Sequence, residues 1–478
     1  MLFSSNIFIF IFLPTVLFIY YIILKNNRKL QNLFLCIASL FFYAWGEPYF
    51  VLIMMLSITV NWAFGLAVEK HRKDNFIKLI IGGNVLFNIT FIFIFKYLVF
   101  FLRNINMIID NNITVPDIAL PIGISFFTFQ AISYVIDIYR GKGYAQKNIF
   151  NVALYISFFP QLIAGPIVRY ETIAEQIYNR KENFNDFSNG VTRFIIGLGK
   201  KVLLSNNMAI VADYTFNIID SADKTSLSIG MAWLGAIAYT LQIYFDFSGY
   251  SDMAIGLGKM FGFHFMENFK YPYISKSATE FWRRWHISLG TWFRDYVYIP
   301  LGGSHVKSRK HIFNLFVVWL LTGVWHGANW TFIIWGLLYF IILVFEKKVG
   351  LDKDSNNKVF NGIRHVYLIF FVIIGWVIFR SDNLESAYEY IKCMFDIAGI
   401  NSVPGSMVFY LREYWIFFVV GVIVSCPVLP YLKDKIGGRM KNKVYFSIII
   451  SCTVICIFVL SISYIVKGSY NPFIYFNF

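Results

Sequence analysis

Apolar runs of about 20 residues recur along this chain, at 6–24, 50–67, 79–101, 227–245, 364–379, 414–432 and 444–466. That is the length a helix needs to cross a hydrocarbon core. Shorter or interrupted runs lie at 33–45, 117–136, 148–168 and 191–212. Only 14% of the 478 residues are charged, against roughly 25% in soluble domains, and the mean hydropathy is +0.59. These runs predict an all-α polytopic membrane protein. The first run is expected to persist as a span, because no charged region precedes it and no small-residue cleavage site follows it.

Loop charge orients the spans. The segments 25–29 (KNNRK) and 69–78 (EKHRKDNFIK) are basic, whereas 47–50 and 103–117 are not. Positive loops stay cytoplasmic, so the first four spans alternate from an outside N-terminus. Basic loops at 346–358 and 433–443, with an acidic one at 380–390, likewise predict an outside C-terminus. The same rule accounts for the net charge of +15 and removes the reason to invoke nucleic acid. Of the five cysteines (36, 393, 426, 452 and 456) nearly all lie in or beside apolar runs without metal-ligand spacing, and they are expected to pack as small hydrophobes.

The run 312–344 departs from simple alternation. Both of its flanks are basic, so the segment is expected to enter the membrane and return, with a single straight long helix as the alternative. Each arm then has about 14 to 18 residues, or roughly 21 to 27 Å of helix. The bend falls at TGVWHGANW, where Gly323 and Gly327 bracket His326. Non-helical backbone at such depth is tolerated only where protein or a water-filled cavity surrounds it. A buried polar ring costs roughly 2 to 7 kcal/mol unless it is paired.

A second informative stretch is YISKSATEFWRRWHISLGTWFRDYVYIP, residues 273–300. Ser277 and Glu280 form a capping-box pattern, predicting a helix from Ala278. At helical spacing Trp282, Trp285, His286, Leu289, Phe293 and Tyr296 share one face, and Arg283, Arg284 and Arg294 the other. This describes a helix at the cytoplasmic interface with His286 turned inward. His71, His305, His311 and His365 lie in or near charged loops and are expected to be solvated, and His264 is ambiguous. Asp246 and Asp252 are expected to pair with cations such as Arg169. The patches GLGKK (197–201) and GLGKMFG (256–262) lack the spacing and strand context of a phosphate loop, so close helix packing is expected. An inward histidine is either a structural hydrogen-bond partner or an acid–base group, and ionisable residues inside a membrane point to function. A neutral buried imidazole suits proton abstraction from a hydroxyl attacking an activated acyl group. No Gly-x-Ser-x-Gly elbow or Cys–His pairing supplies an enzyme nucleophile.

LPIGISFFTFQAISYVIDIYRG (120–141), FFPQLIAGPIVRY (158–170), YFDFSGYSDMAIGLGKMFGF (244–263), EFWRRWHISLGTWFRDYVYIPLGG (280–303) and LTGVWHGANWTFIIWG (321–336) occur in this order. Together they closely resemble the membrane-bound O-acyltransferase (MBOAT) family, in its bacterial branch that includes the membrane subunit of alginate O-acetylation. The resemblance covers essentially the whole chain as a single membrane domain, 1–478, with a motif-bearing core at 117–345. It implies roughly 11 or more transmembrane or re-entrant helices around a central thin region or tunnel in the cytoplasmic membrane. His326 and His286 are then the catalytic candidates. Arg283, Arg284, Trp325 and Asn329 are candidates to contact the donor or substrate, and no metal is implied. No bound cofactor is expected; the donor would be acetyl-CoA or another acyl thioester. The acceptor would be hydroxyls of an extracytoplasmic cell-surface polysaccharide, with an SGNH-type acetyltransferase partner outside the membrane. D-alanyl transfer to teichoic acid and peptidoglycan O-acetylation are alternatives on the same fold. A transporter with a histidine proton relay is a remoter one.

Overall fold

The computed structural model describes residues 1–109, 113–220, 227–396, 404–428, 430–431, 435, 443–468, 470–472 and 474. Among these there is no strand. The basic loop at 433–443 lies almost wholly outside the described residues. The chain divides into two compact units, Met1–Phe194 with Tyr250–Met266, and Ile195–Gly249 with Glu267–Phe478. The helices are α1 (Phe8–Ile23), α2 (Arg28–Ala44), α3 (Phe50–Lys70), α4 (Ile77–Ile109), α5 (Ile124–Tyr139), α6 (Ile149–Ser157), α7 (Phe184–Ile219) and α8 (Ile229–Met260). They continue as α9 (Ala278–Arg284), α10 (Ile287–Phe293), α11 (Ser308–His326), α12 (Trp330–Val349), α13 (Lys358–Arg380), α14 (Leu384–Phe395), α15 (Pro404–Val424) and α16 (Lys443–Val466). Among the described residues six are long and apolar enough to cross a membrane: α3, α4, α7, α13, most of α15 and most of α16.

Several polar side chains inside the first unit are paired across helices, which lowers the cost of burying them away from water. Asn61 of α3 accepts from Asn84 (2.7 Å) and Asn88 (2.9 Å) of α4, and donates back to Asn88 at 3.2 Å. At the basic end of α1, Arg28 donates to Glu182 (2.8 Å) and to Tyr20 (3.0 Å), while buried Arg180 stacks 4.4 Å from the Phe263 ring. The glycine patches serve packing, as expected. A Cβ on Gly256 would stand 2.6 Å from the Gly190 carbonyl, and one on Gly249 would stand 2.8 Å from that of Gly197. The two acids are found on other cations than Arg169, Asp246 being buried and Asp252 half-buried. Asp252 pairs with Arg193 at 2.8 Å in the first unit, Asp246 pairs with Lys201 at 2.6 Å in the second, and Arg169 binds Glu171. Of the cysteines only Cys36 is buried, and Cys452 and Cys456 are exposed on α16.

In the second unit α11 and α12 form a helical hairpin whose turn falls at Gly327–Asn329, where the charge pattern placed the bend. Its arms touch through backbone at Gly323 and Gly336, where a Cβ would meet the Phe332 and Trp319 carbonyls at 2.6 and 2.5 Å. Gly327 is extended (φ −175°), so its need is spatial: a Cβ there would lie 2.2 Å from the Phe332 ring. The stretch 273–300 differs from the single helix expected. It breaks at His286, which sits in the left-handed region (φ 44°, ψ 52°) between α9 and α10. The inward face survives the break, since Trp285, His286, Leu289 and Phe293 are all buried while Arg283 and Arg294 remain exposed.

Candidate active site

The short helix α9 is held from both ends of its first turn. Ser277 caps it by accepting from Glu280 N at 3.1 Å, as the sequence predicted. Glu346, fully buried near the end of α12, accepts from Ala278 N at 2.7 Å and Thr279 N at 3.3 Å. A carboxylate on the first-turn N–H groups satisfies donors that a helix start leaves open. Burial nevertheless pushes this carboxyl above its ordinary range. Glu346 therefore ties the WRRWH segment to the hairpin, a role no local pattern announces.

Tryptophans dominate the walls. Trp282 of α9 packs against Trp319 of α11 (4.9 Å between ring centroids), and against Trp335 (5.4 Å) and Tyr339 (4.9 Å) of α12. Trp285 meets Trp376 of α13 at 4.8 Å. Such rings bury large apolar area with few internal rotations, giving a rigid frame. Against it lies an open cavity of about 710 Å³. Trp282, Trp319 and Thr322 line its apolar part together with His286, and Arg283, Arg294, His311, Lys347 and Asp352 contribute its charged and polar part.

His286 is 2% exposed. Its Nδ1 lies 3.3 Å from the Asn268 amide oxygen, and its ring meets Phe247 edge-on at 4.5 Å. Burial pushes its imidazole below the usual histidine value, so it rests neutral. His326 is the last residue of α11 and is 5% exposed. Three rings box it in, all near perpendicular: Trp325 at 4.9 Å, Trp335 at 5.0 Å and Phe379 at 5.1 Å. Trp325 stands between the two histidines, 5.9 Å from the His286 ring. The hairpin turn thus brings His326 and Trp325 to His286; His286 and Arg283 are on the cavity wall, and His326 and Trp325 are not among its lining residues.

Two other expected residues serve the scaffold. Asn329 caps α12 by accepting from Thr331 N at 3.1 Å and donates to the Asp382 carbonyl at 2.7 Å. Arg284 is held by Glu280 (2.9 Å) and donates to the Lys270 carbonyl at 3.1 Å, and it is not among the cavity-lining residues. His311 is buried rather than solvated. Its Nε2 lies 2.9 Å from the Tyr298 hydroxyl and its Nδ1 accepts from Lys347 at 3.2 Å. Burial, and then the Lys347 charge, lower its pKa. His365 lies 2.9 Å from the Ser275 carbonyl, His71 pairs with Asp74 at 2.6 Å, and exposed His264 stands 3.6 Å from Asp186.

The described site is therefore a pair of buried histidines joined through Trp325, with His286 on the wall of a cavity that also carries Arg283, Arg294 and Lys347. The chain belongs to the membrane-bound O-acyltransferase family, whose model matches residues 145–381 and so spans both histidines. It is an O-acyltransferase and a multi-pass membrane protein. It is 39% identical to a probable alginate O-acetylase AlgI of Pseudomonas putida over 507 aligned residues covering both chains in full. The identity to the protein of that name in Pseudomonas syringae pv. tomato is 47% over 83% of this chain and 75% of that one. A peptidoglycan O-acetyltransferase of Helicobacter pylori is 37% identical over 84% of this chain and 81% of its own.

Proposed function

We propose that this enzyme takes an acetyl group from a cytoplasmic thioester, acetyl-CoA, and delivers it across the membrane toward hydroxyls of a cell-surface polysaccharide. An SGNH-type protein on the outer side completes the transfer. The observation that carries this reading is the cavity, apolar beside Trp282, Trp319 and His286 and cationic at Arg283, Arg294 and Lys347. Guanidinium and ammonium groups favour phosphates, and the apolar part suits the uncharged arm of a thioester. The basic loops beside it, with Lys307, Arg309 and Lys310 on one side and Lys347 and Lys348 on the other, favour a cytoplasmic opening. In the same reading both termini are extracytoplasmic, and the shorter helices bring the crossing or re-entrant helices to about eleven or more around a thinned centre.

His326 acts as the general base. It takes the proton of the attacking hydroxyl as that oxygen bonds to the thioester carbon, the carbon–sulfur bond breaks, and the thiol leaves with a proton. His286 is the second proton-transfer group. The activity named for the Pseudomonas relatives supports an acetyl group and a polysaccharide acceptor, and the Helicobacter relative supports peptidoglycan as the second reading. The test is reconstitution in proteoliposomes with acetyl-CoA labelled in its acetyl group. Thiol release that depends on the enzyme and on His326, with label appearing in an externally supplied polysaccharide and partner fraction, is the expected result. Label moving only from a D-alanyl carrier protein would overturn the donor assignment, and acceptance by peptidoglycan alone would overturn the acceptor.

A further inference from the structure

Asn268 lies in ENFKYPY, 18 positions before His286, and is 1% exposed. Its carbonyl accepts from Ile287 N at 3.0 Å. Its side-chain oxygen accepts from Ser288 N at 3.1 Å and from the Ser288 hydroxyl at 2.9 Å. A backbone N–H only donates, so the amide atom facing Ser288 N must be the oxygen, which fixes the orientation of the amide. That same oxygen stands 3.3 Å from His286 Nδ1 and can only accept. Nδ1 must therefore carry the ring hydrogen, and in the neutral imidazole the lone pair is left on Nε2. The Ser288 hydroxyl, 3.4 Å from Nδ1, has committed its hydrogen to Asn268 and offers Nδ1 a second lone pair.

The backbone agrees with the side chain. A histidine in the left-handed region is strained and persists only when its surroundings over-determine it. Here the first two N–H groups of α10 are both taken by Asn268, so one residue holds the turn and the tautomer together.

We propose that Asn268 is a positioning residue that locks His286 as the Nδ1–H tautomer, making Nε2 a proton acceptor and excluding His286 as a hydrogen-bond donor to a developing oxyanion. This rests on the reading of His286 as a proton-transfer group. Three variants test it in nanodiscs. Asn268→Asp keeps both acceptor contacts and places a carboxylate on Nδ1. It should retain transfer, with the acid limb of the pH–rate profile moved up by at least one unit. Asn268→Ala should lose about 10²-fold or more in kcat with donor KM unchanged. ¹⁵N spectra of histidine-labelled protein, with His286 assigned by subtraction of His286→Gln, should show a protonated Nδ1 and a bare Nε2 in wild type, and mixed tautomers in Asn268→Ala. An Nε2–H tautomer in wild type, or an Asn268→Ala enzyme with wild-type kcat and pH profile, would overturn the proposal. Should Asn268→Ala fail to accumulate, the Asp profile and the wild-type spectrum decide alone. Full activity in His286→Gln would instead remove the role of His286, while the tautomer measurement still tests Asn268.

Discussion

Alanine at the glycine crossing of the α11–α12 hairpin should disable the enzyme without touching either histidine. A Cβ built on Gly323 stands 2.6 Å from the Phe332 carbonyl oxygen, and one on Gly336 stands 2.5 Å from that of Trp319 and 3.2 Å from Gly323 Cα. Ordinary contact begins near 3.4 Å, so the arms must part by about 0.8 Å, an overlap that overpacked cores relieve at roughly 1 to 3 kcal/mol. The obstacle is helical backbone, which cannot swing aside as a side chain can. His326 lies three residues beyond Gly323 on the same face, so the displacement carries into its Trp325, Trp335 and Phe379 box. A misplacement of about 1 Å at a reacting group can cost 10²-fold. Gly323→Ala and Gly336→Ala are each expected to lose about that much acyl transfer per folded molecule, with a lowered melting temperature in detergent. Gly362→Ala is the control, because nothing lies within 4 Å of its added methyl and it sits in helix α13. It should keep wild-type activity and gain slightly in stability, by about 0.4 to 1 kcal/mol. If all three variants behave alike, the tight crossing does not position the site.

Loss of a general base typically costs 10² to 10⁴ in rate, so His326→Ala and His326→Gln should both be inserted, folded and nearly inactive when acetyl transfer is normalised to membrane protein. Near-wild-type activity in His326→Gln would leave His286 as the base. Arg283→Ala and Lys347→Ala, which remove cations from the cavity wall, should raise donor KM with kcat little changed in steady-state assays, whereas Arg284→Ala should leave KM unaltered. Glu346→Ala should destabilise by about 1 to 2 kcal/mol in thermal unfolding, because two helix-start N–H groups lose their acceptor, while Glu346→Gln keeps one acceptor oxygen and should fall between. His311 has a lowered pKa, so below its ordinary value of about 6.5 the unfolded chain binds the extra proton and the native state is penalised. The melting temperature should fall as pH drops from about 6.5, and His311→Asn should flatten that fall.

Elements set by solvent contrast were legible in the sequence, and those set by a distant partner were not. The apolar run 444–466 is helix Lys443–Val466 almost to the residue, and 50–67 lies inside Phe50–Lys70, because a lipid-crossing helix has to be apolar over a fixed length. The hairpin bend was legible for a related reason, since uncharged arms between two basic flanks favour a return over a single long helix. The break at His286 had no such signature. The pattern from Trp282 to Tyr296 is continuous at helical spacing, and the left-handed turn exists because Asn268 receives the N–H groups of Ile287 and Ser288. That Asp246 and Asp252 would be paired with cations could be read from their apolar surroundings, but not that Lys201 and Arg193 would supply them. That choice depends on which helix faces pack, and several packings are compatible with one hydropathy profile. His311 misled for the opposite reason: Arg309 and Lys310 make its neighbourhood look aqueous, yet it faces Tyr298 and Lys347. The two catalytic candidates stood out because a titratable ring in an apolar run is costly and therefore rare. The groups that would tune them, Asn268, Ser288 and Glu346, are ordinary residue types in ordinary contexts, and their roles follow from hydrogen bonds reaching, for Glu346, 68 positions along the chain. Chemistry is thus visible in this sequence where it conflicts with the membrane, and its control is visible only in the fold.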